Sequence, residues 1–315
     1  MAATSAVLAA RILARALPGR SLASCEPAAG GVLNTVYRIA VAGVDGEFAL
    51  RMHTRDPGGC RKELDLHQLV AARVPVPEVV FADPEGEAGG GPCMLLRWVP
   101  GETYRQIKSR RDAREIAECG RALGGVLARI ASFQFARGGS LGPGLAIGPG
   151  PVEGPDAVPR MIEKFLAMPS AAARLPAATI ARVCAFSWSR APQLAALDRQ
   201  CSLVHSDFGS PNLVMHRPRG RWEVAAVLDW EFAFSGAPLY DVGHLLRYER
   251  PGRPGLEPHF SRAYRDAGGS LPENWRDLAR TLDLTALCEM LARPALPEDL
   301  APEIVALLEA AIIPC

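Results

Sequence analysis

Three residues near the middle of the chain have the types and spacing that phosphoryl transfer requires. Asp207 and Asn212 lie in the segment Leu203-Val-His-Ser-Asp-Phe-Gly-Ser-Pro-Asn-Leu-Val-Met215, and Asp229 closes the next apolar run, Val224-Ala-Ala-Val-Leu-Asp229. The reaction needs a carboxylate beside the incoming hydroxyl and oxygen ligands for Mg²⁺ beside the triphosphate. Carboxylate, amide and second carboxylate on adjacent loop ends supply that set. Taken singly, Asp207 and Asn212 also suit ordinary turns, and Asp229 suits a cap. Their joint occurrence favours the chemical reading.

Such loop ends need strands to hold them, and the pattern predicts a strand-loop-strand block over 202–230. Upstream, Leu33-Asn-Thr-Val-Tyr-Arg-Ile-Ala-Val41 alternates, Val44-Asp45-Gly46 turns, and Glu47-Phe-Ala-Leu-Arg-Met52 alternates again, which reads as a β-hairpin. A helix is expected over 59–73, with Leu64, Leu66, Leu69 and Val70 on its apolar side. Pro75 and Pro77 then force extension into a strand over 78–81, and the apolar run Cys93-Met-Leu-Leu-Arg-Trp-Val99 stops at Pro100-Gly101. This ββαββ order predicts a small mixed lobe over residues 1–99. Residues 100–315 read as a mainly helical lobe, with helices over 113–135, 157–168, 176–199, 239–249, 257–267, 274–292 and 298–312. The fold class expected is α+β, two lobes with a cleft between them. At the N-terminus, Val7, Leu8, Ile12, Leu13 and Leu17 fall at helical spacing before Pro18-Gly19. A structural first helix is favoured there over a cleaved Arg-rich leader.

His205-Ser-Asp-Phe-Gly-Ser-Pro-Asn212 has the spacing of the kinase catalytic loop, with a strand ending in Asp after it. Together with Leu228-Asp-Trp-Glu231 and Pro238-Leu-Tyr-Asp-Val-Gly243, it resembles the aminoglycoside phosphotransferase and choline kinase family, in order and spacing over nearly the whole chain. The resemblance implies a protein-kinase-like fold: a small N-terminal lobe of antiparallel sheet plus helix, and a large, mainly helical C-terminal lobe. It implies that Asp207 orients and helps deprotonate the acceptor hydroxyl, and that Asn212 and Asp229 hold Mg²⁺. His205 and Asp241 would brace the loop. In the small lobe it implies a phosphate-covering turn with Gly30, Gly31 and Asn34, with Arg51 on the α/β-phosphates and Glu63 as its ion-pair partner. Arg97-Trp98-Val99 would form the hinge against the adenine edge. Three features depart from the common pattern. Arg51 stands where protein kinases carry Lys, keeping the charge and gaining a bidentate fork. The turn at Gly30 lacks a full G-x-G-x-x-G, and Ser206 replaces the usual Gly between His and Asp.

The activity implied is ATP- (or GTP-) and Mg²⁺-dependent phosphorylation of a small-molecule hydroxyl, on a metabolite alcohol, sugar, hydroxy acid or aminoglycoside-like antibiotic. The alternative is a nucleotide-binding regulatory pseudokinase, against which the intact Asp207, Asn212 and Asp229 argue. A protein kinase is disfavoured, because no Asp-Phe-Gly or Ala-Pro-Glu follows Asp229.

The bulk properties agree with a small-molecule enzyme. With 315 residues, 49% hydrophobic, 22% charged and a net charge of +1, nothing points to nucleic acid or a membrane surface as partner. Residues 231–315 hold 13 acidic against 8 basic side chains, which permits a cationic acceptor without requiring one. The eight cysteines are scattered, with no C-x-x-C, as expected of free thiols in a cytoplasmic protein. No apolar run reaches the ~18 residues of a membrane span. Gly138-Gly-Ser-Leu-Gly142 matches a hydrolase nucleophile elbow in letters only, since its flanks are wrong. His53, His67, His216, His244 and His259 show no ligand spacing and are expected to be ordinary surface or helix residues. Tyr240, His244, Arg247, Tyr248 and Glu249 share a helix beyond the metal loop, which packing or an acceptor explains equally well. Nothing in the sequence sets an oligomeric state.

Overall fold

The computed structural model describes residues 2–28, 35–54, 56–150, 154, 156–249 and 255–313. Helix α1 (Ala2–Ala16) comes first, as its spacing predicts, and buries Ala9, Ile12 and Leu13. Strands β1 (Leu22–Pro27), β2 (Thr35–Val41) and β3 (Glu47–Met52) follow, then helix α2 (Pro57–Val70) and strands β4 (Val79–Asp83) and β5 (Cys93–Arg97). They form a five-stranded antiparallel sheet in the order β1-β2-β3-β5-β4. Strand β1 was not legible beforehand. Leu-Ala-Ser-Cys-Glu-Pro does not alternate, lies at an edge paired only with β2, and shifts register between Leu22 and Ser24.

Side-chain alternation sorts this sheet into two faces. Phe48, Leu50, Met52, Cys93 and Leu95 pack with α1, whereas Ala49, Met94 and Leu96 pack with Cys60 and Leu64 of α2. Arg51 follows the parity of Ala49 and therefore points to the α2 face. Asp56 caps α2 by accepting from the Gly58 N–H at 3.0 Å, with Pro57 in the first turn.

Beyond residue 100 the chain is mainly helical. It runs through β6 (Glu102–Thr103), α3 (Tyr104–Ser109), α4 (Ala113–Ala131), β7 (Gly139–Ser140), α5 (Ala157–Leu166), α6 (Pro169–Arg174) and α7 (Ala177–Leu194). Strands β8 (Ser202–Val204), β9 (Leu213–His216), β10 (Glu223–Val227) and β11 (Phe234–Gly236) come next. Helices α8 (Leu239–Leu246), α9 (Glu257–Asp266), α10 (Trp275–Ala292) and α11 (Ala301–Ala311) complete it. The short strands make two small antiparallel sheets, β10-β9-β6 and β7-β11-β8. One large core joins Leu66 and Val70 of α2 to Phe208, Trp230, Phe260, Tyr264 and Trp275. Gly139 and Ser140 form the two-residue strand β7, followed only by a single 3-10 turn (Pro143–Leu145), so the hydrolase-elbow letters do not lead from a strand into an α-helix. Described cysteines are all free thiols, and among the described residues no helix is long and apolar enough to cross a membrane.

Candidate active site

Asp207 and Asn212 occupy the loop between β8 and β9, and Asp229 the loop between β10 and β11. The loops are tied together where the Leu228 N–H donates to the Asn212 carbonyl at 2.9 Å. The turn at His205–Asp207 is built on backbone donors. Asp241, in the first turn of α8, accepts from the N–H groups of His205 and Ser206, both at 2.8 Å. Burial pushes the Asp241 carboxyl up to about 7, against the pull of those two donors. The His205 Nδ1 accepts from the Asp207 N–H at 3.2 Å, so Nε2 carries the proton and donates to the Leu228 carbonyl at 3.0 Å. Burial lowers His205 to about 4, in keeping with a neutral ring. One imidazole thus bridges the Asp207 loop to the Asp229 loop.

Asn212 Nδ2 donates to both the Asp207 carbonyl, at 3.0 Å, and Asp207 Oδ2, at 2.8 Å. With its nitrogen committed in this way, the amide keeps Oδ1 as an acceptor, and with the Asp229 carboxylate on the tied loop it could serve as an oxygen ligand. That donor set, all oxygen and carrying one negative charge, suits Mg²⁺. Two non-glycine residues here have left-handed backbones, Ser206 (φ 71°) and Asp229 (φ 69°).

The small lobe contributes Arg51. Its Nε lies 3.2 Å from Glu63 Oε2, its Nη2 2.6 Å from Asp229 Oδ1 and 3.6 Å from Glu231 Oε2. Burial works against the Arg51 charge, but Glu63, Asp229 and Glu231 more than offset it and raise its pKa. Arg51 and Glu63 are therefore brought together as expected, with Asp229 in the same cluster. Arg97 and Val99 sit at the end of β5 and just beyond it. The Arg97 N–H is committed to the Glu78 carbonyl at 2.9 Å and its guanidinium stacks 4.6 Å from the Phe48 ring. The Trp98 N–H is likewise committed to Glu47, so Val99 has the first backbone N–H past the sheet. Gly30, Gly31 and Asn34 lie outside the described residues.

Several participants escaped sequence reasoning. His53 and His67 are not surface residues: both are buried, 3.6 and 4.0 Å from the Glu63 carboxylate. Burial lowers each to about 4 and raises Glu63 to about 7. Lys62 Nζ donates to the Glu231 carbonyl at 2.7 Å, tying α2 to the loop after Asp229. His244 stands 3.2 Å from Asp207. Spacing gave no sign of the contacts of His53, Lys62 and His244, because each joins residues of separate elements. His67, by contrast, follows Glu63 by four positions on α2, a helical spacing that the sequence shows. The Glu63/His67 spacing, the adjacency Lys62-Glu63 and the motif Asp-Trp-Glu231 were the local hints.

The profile of a family described as phosphotransferase enzymes matches residues 24–280. Among curated proteins, acyl-CoA dehydrogenase family member 10 of Mus musculus is 29% identical over 239 residues, 70% of this chain and 20% of that protein. The chain thus spans about a fifth of that relative's length. Among solved structures it is similar to a thermostable aminoglycoside phosphotransferase mutant in ternary complex with ADP and hygromycin B. The TM-score is 0.69 at 20% identity, over 96% of this chain and 97% of the other. It is also similar to an aminoglycoside phosphotransferase bound to GDP and kanamycin, with a TM-score of 0.68 at 16% identity over 95% and 96% of the two chains. At these identities the likeness establishes the fold, which is the protein-kinase-like α+β fold expected.

Proposed function

Since this chain belongs to the phosphotransferase enzyme family, we propose that it is a small-molecule phosphotransferase that moves the γ-phosphoryl group of ATP to a hydroxyl of a small molecule, with Mg²⁺. The observation that carries the reading is the gathering of Asp207, Asn212, Asp229 and Arg51 around one pair of tied loops, across contacts of 2.6 to 3.0 Å.

In this reading Asp207 accepts the acceptor's hydroxyl proton at a carboxylate oxygen while the new O–P bond forms. The bond from the γ-phosphorus to the β–γ bridging oxygen breaks, and a nucleoside diphosphate leaves. Asn212 Oδ1 and the Asp229 carboxylate would hold Mg²⁺, whose charge offsets that of the phosphates. Arg51 takes the α/β-phosphates through its fork, kept in place by Glu63. Gly30, Gly31 and Asn34 cover the phosphates, and the backbone around Val99, with the Arg97 carbonyl, meets the purine. Structures with the same fold hold ADP or GDP, together with hygromycin B or kanamycin. GTP and amino sugars therefore join ATP, sugars, amino alcohols and hydroxy acids as the range to test.

The test is Mg²⁺-dependent nucleotide turnover against pooled amino sugars, sugars, amino alcohols and hydroxy acids, with ATP and GTP. One pool is expected to stimulate turnover. Asp207→Ala should lower it by about 10²- to 10⁴-fold while still binding Mg·nucleotide. Equal turnover by the variant would overturn the assignment of Asp207. Tight nucleotide binding with no stimulated turnover would favour a regulatory pseudokinase.

A further inference from the structure

The Asp207 carboxylate is not held by its own loop alone. Asn212 occupies Oδ2, and the second oxygen, Oδ1, lies 3.2 Å from His244 Nε2. The histidine is itself held from behind. Arg247 Nη2 approaches His244 Nδ1 at 3.3 Å. A guanidinium only donates, so Nδ1 accepts and Nε2 carries the proton that points at Asp207. Arg247 in turn forks onto Asp283 of α10, with Nε to Oδ2 at 2.8 Å and Nη2 to Oδ1 at 2.6 Å. This charge-assisted bidentate pair is the rigid kind of contact.

The relay runs from the core to the cleft. Side-chain exposure rises from 7% at Asp283 and 6% at Arg247 to 17% at His244 and 34% at Asp207. The catalytic loop is also shaped to admit the ring. A Cβ on Gly209 would come within 2.9 Å of His244 Nε2 and 3.1 Å of Cδ2. Glycine at that position leaves the gap that the imidazole fills. Two features in different segments, a glycine in the loop and a fixed tautomer on α8, thus serve the same contact.

We propose that His244 is a positioning residue for phosphoryl transfer: it donates from Nε2 to Asp207 Oδ1 and, with Asn212 on the other oxygen, sets the plane of the carboxylate that receives the acceptor proton. This rests on the phosphotransfer reading of Asp207. Arg247 and Asp283 fix the tautomer and carry the rigidity of α10 to the cleft. Burial works against the Asp207 carboxylate, and the hydrogen bond from His244 is among the contacts that nonetheless hold its pKa below the ordinary value.

The test compares His244→Phe, His244→Asn and His244→Gln, using the acceptor pool that stimulates the wild type. Gln can place an N–H near the position of Nε2, whereas Asn reaches only the position of Nδ1. A misaimed carboxylate should lower kcat by about 10- to 100-fold in the Phe and Asn variants, with KM for Mg·ATP little changed and Gln restoring most of the loss. A kcat for His244→Phe within about twofold of wild type would overturn the proposal, given the sensitivity expected of a misplaced group. So would a Gln variant as impaired as Phe, which would mark a merely structural side chain. A second readout needs no acceptor. Imidazole ¹H–¹⁵N spectra should show His244 protonated at Nε2, with a resonance that moves in Asp207→Asn. Protonation at Nδ1, or no response to Asp207→Asn, overturns the proposal even in a protein with no turnover. Absent turnover with an Nε2 proton that responds would fail the phosphotransfer reading while supporting the contact.

Discussion

Ser206 shows what the site asks of a single residue. At φ 71° it lies in the left-handed region, which costs an L-residue about 1–2 kcal/mol. The turn keeps that geometry because the Ser206 N–H, with that of His205, must reach the Asp241 carboxylate. Gly in the same place would carry no such strain, which explains why the related motif usually has it. Ser206→Gly is therefore expected to stabilise the protein by about 0.5–1 kcal/mol, the relieved strain less the added freedom of the unfolded chain. The urea midpoint measures it, and a lower midpoint would mean that the serine side chain makes a contact worth more than the strain. Asp229 tolerates the same region more readily, since a short polar side chain can bond locally.

Among the elements, α4 and α9 pack closely in the helical lobe, and two glycines set their distance. A Cβ on Gly124 would meet the Phe260 carbonyl at 2.5 Å, and one on Gly120 would meet the Leu256 carbonyl at 3.0 Å. Gly125, one position on, faces only the far end of Arg129 at 3.7 Å. The two neighbours should respond with opposite signs. Gly124→Ala forces the helices apart and is expected to cost about 1–3 kcal/mol. Gly125→Ala is expected to gain about 0.5–1 kcal/mol from helix propensity alone. Chemical denaturation of the pair checks both, and matching signs would contradict the packing described. Helix α4 supports the fold behind the site, so neither change should alter the Asp207 dependence of turnover.

For the molecule as a whole, buried titratable groups pull stability in two directions. His53, His67 and His205 are each lowered to about 4 by burial, so their contribution is present above about 6.5 and lost as pH falls toward 4. Glu63 and Asp241 are each raised to about 7 by burial. Their contribution runs the other way, present at low pH and lost as pH rises through 7. The two sets oppose one another, so the wild-type slope between pH 4 and 7 should be shallow, and removing one histidine should flatten it further. His67→Leu is expected to gain about 2 kcal/mol relative to wild type on going from about pH 7.5 to 4.5. Urea midpoints of both proteins at the two pH values measure this, and a constant difference would mean that His67 is not held neutral.

The sequence by itself determined what depends on local spacing. Strands on either side of short loops carry Asp207, Asn212 and Asp229 to adjacent ends, and the two-residue period of β3 turns Arg51 toward the helix bearing Glu63. The helical lobe was legible for the same reason, since apolar periodicity reports which face of a helix is buried. Tertiary structure alone decided which side chains meet across elements. Arg51 reaches Asp229 over 178 positions, His244 reaches a loop before its own helix, and His53 closes on Glu63 from beyond the end of a strand. Strand β1 belongs with these, because an edge strand without alternation is stabilised by its neighbour rather than by its own pattern. Periodicity gives a direction relative to one element's axis. The distance between two such directions is set by how the elements pack, here by the core that joins α2 to the helical lobe and by the glycines that let helices approach.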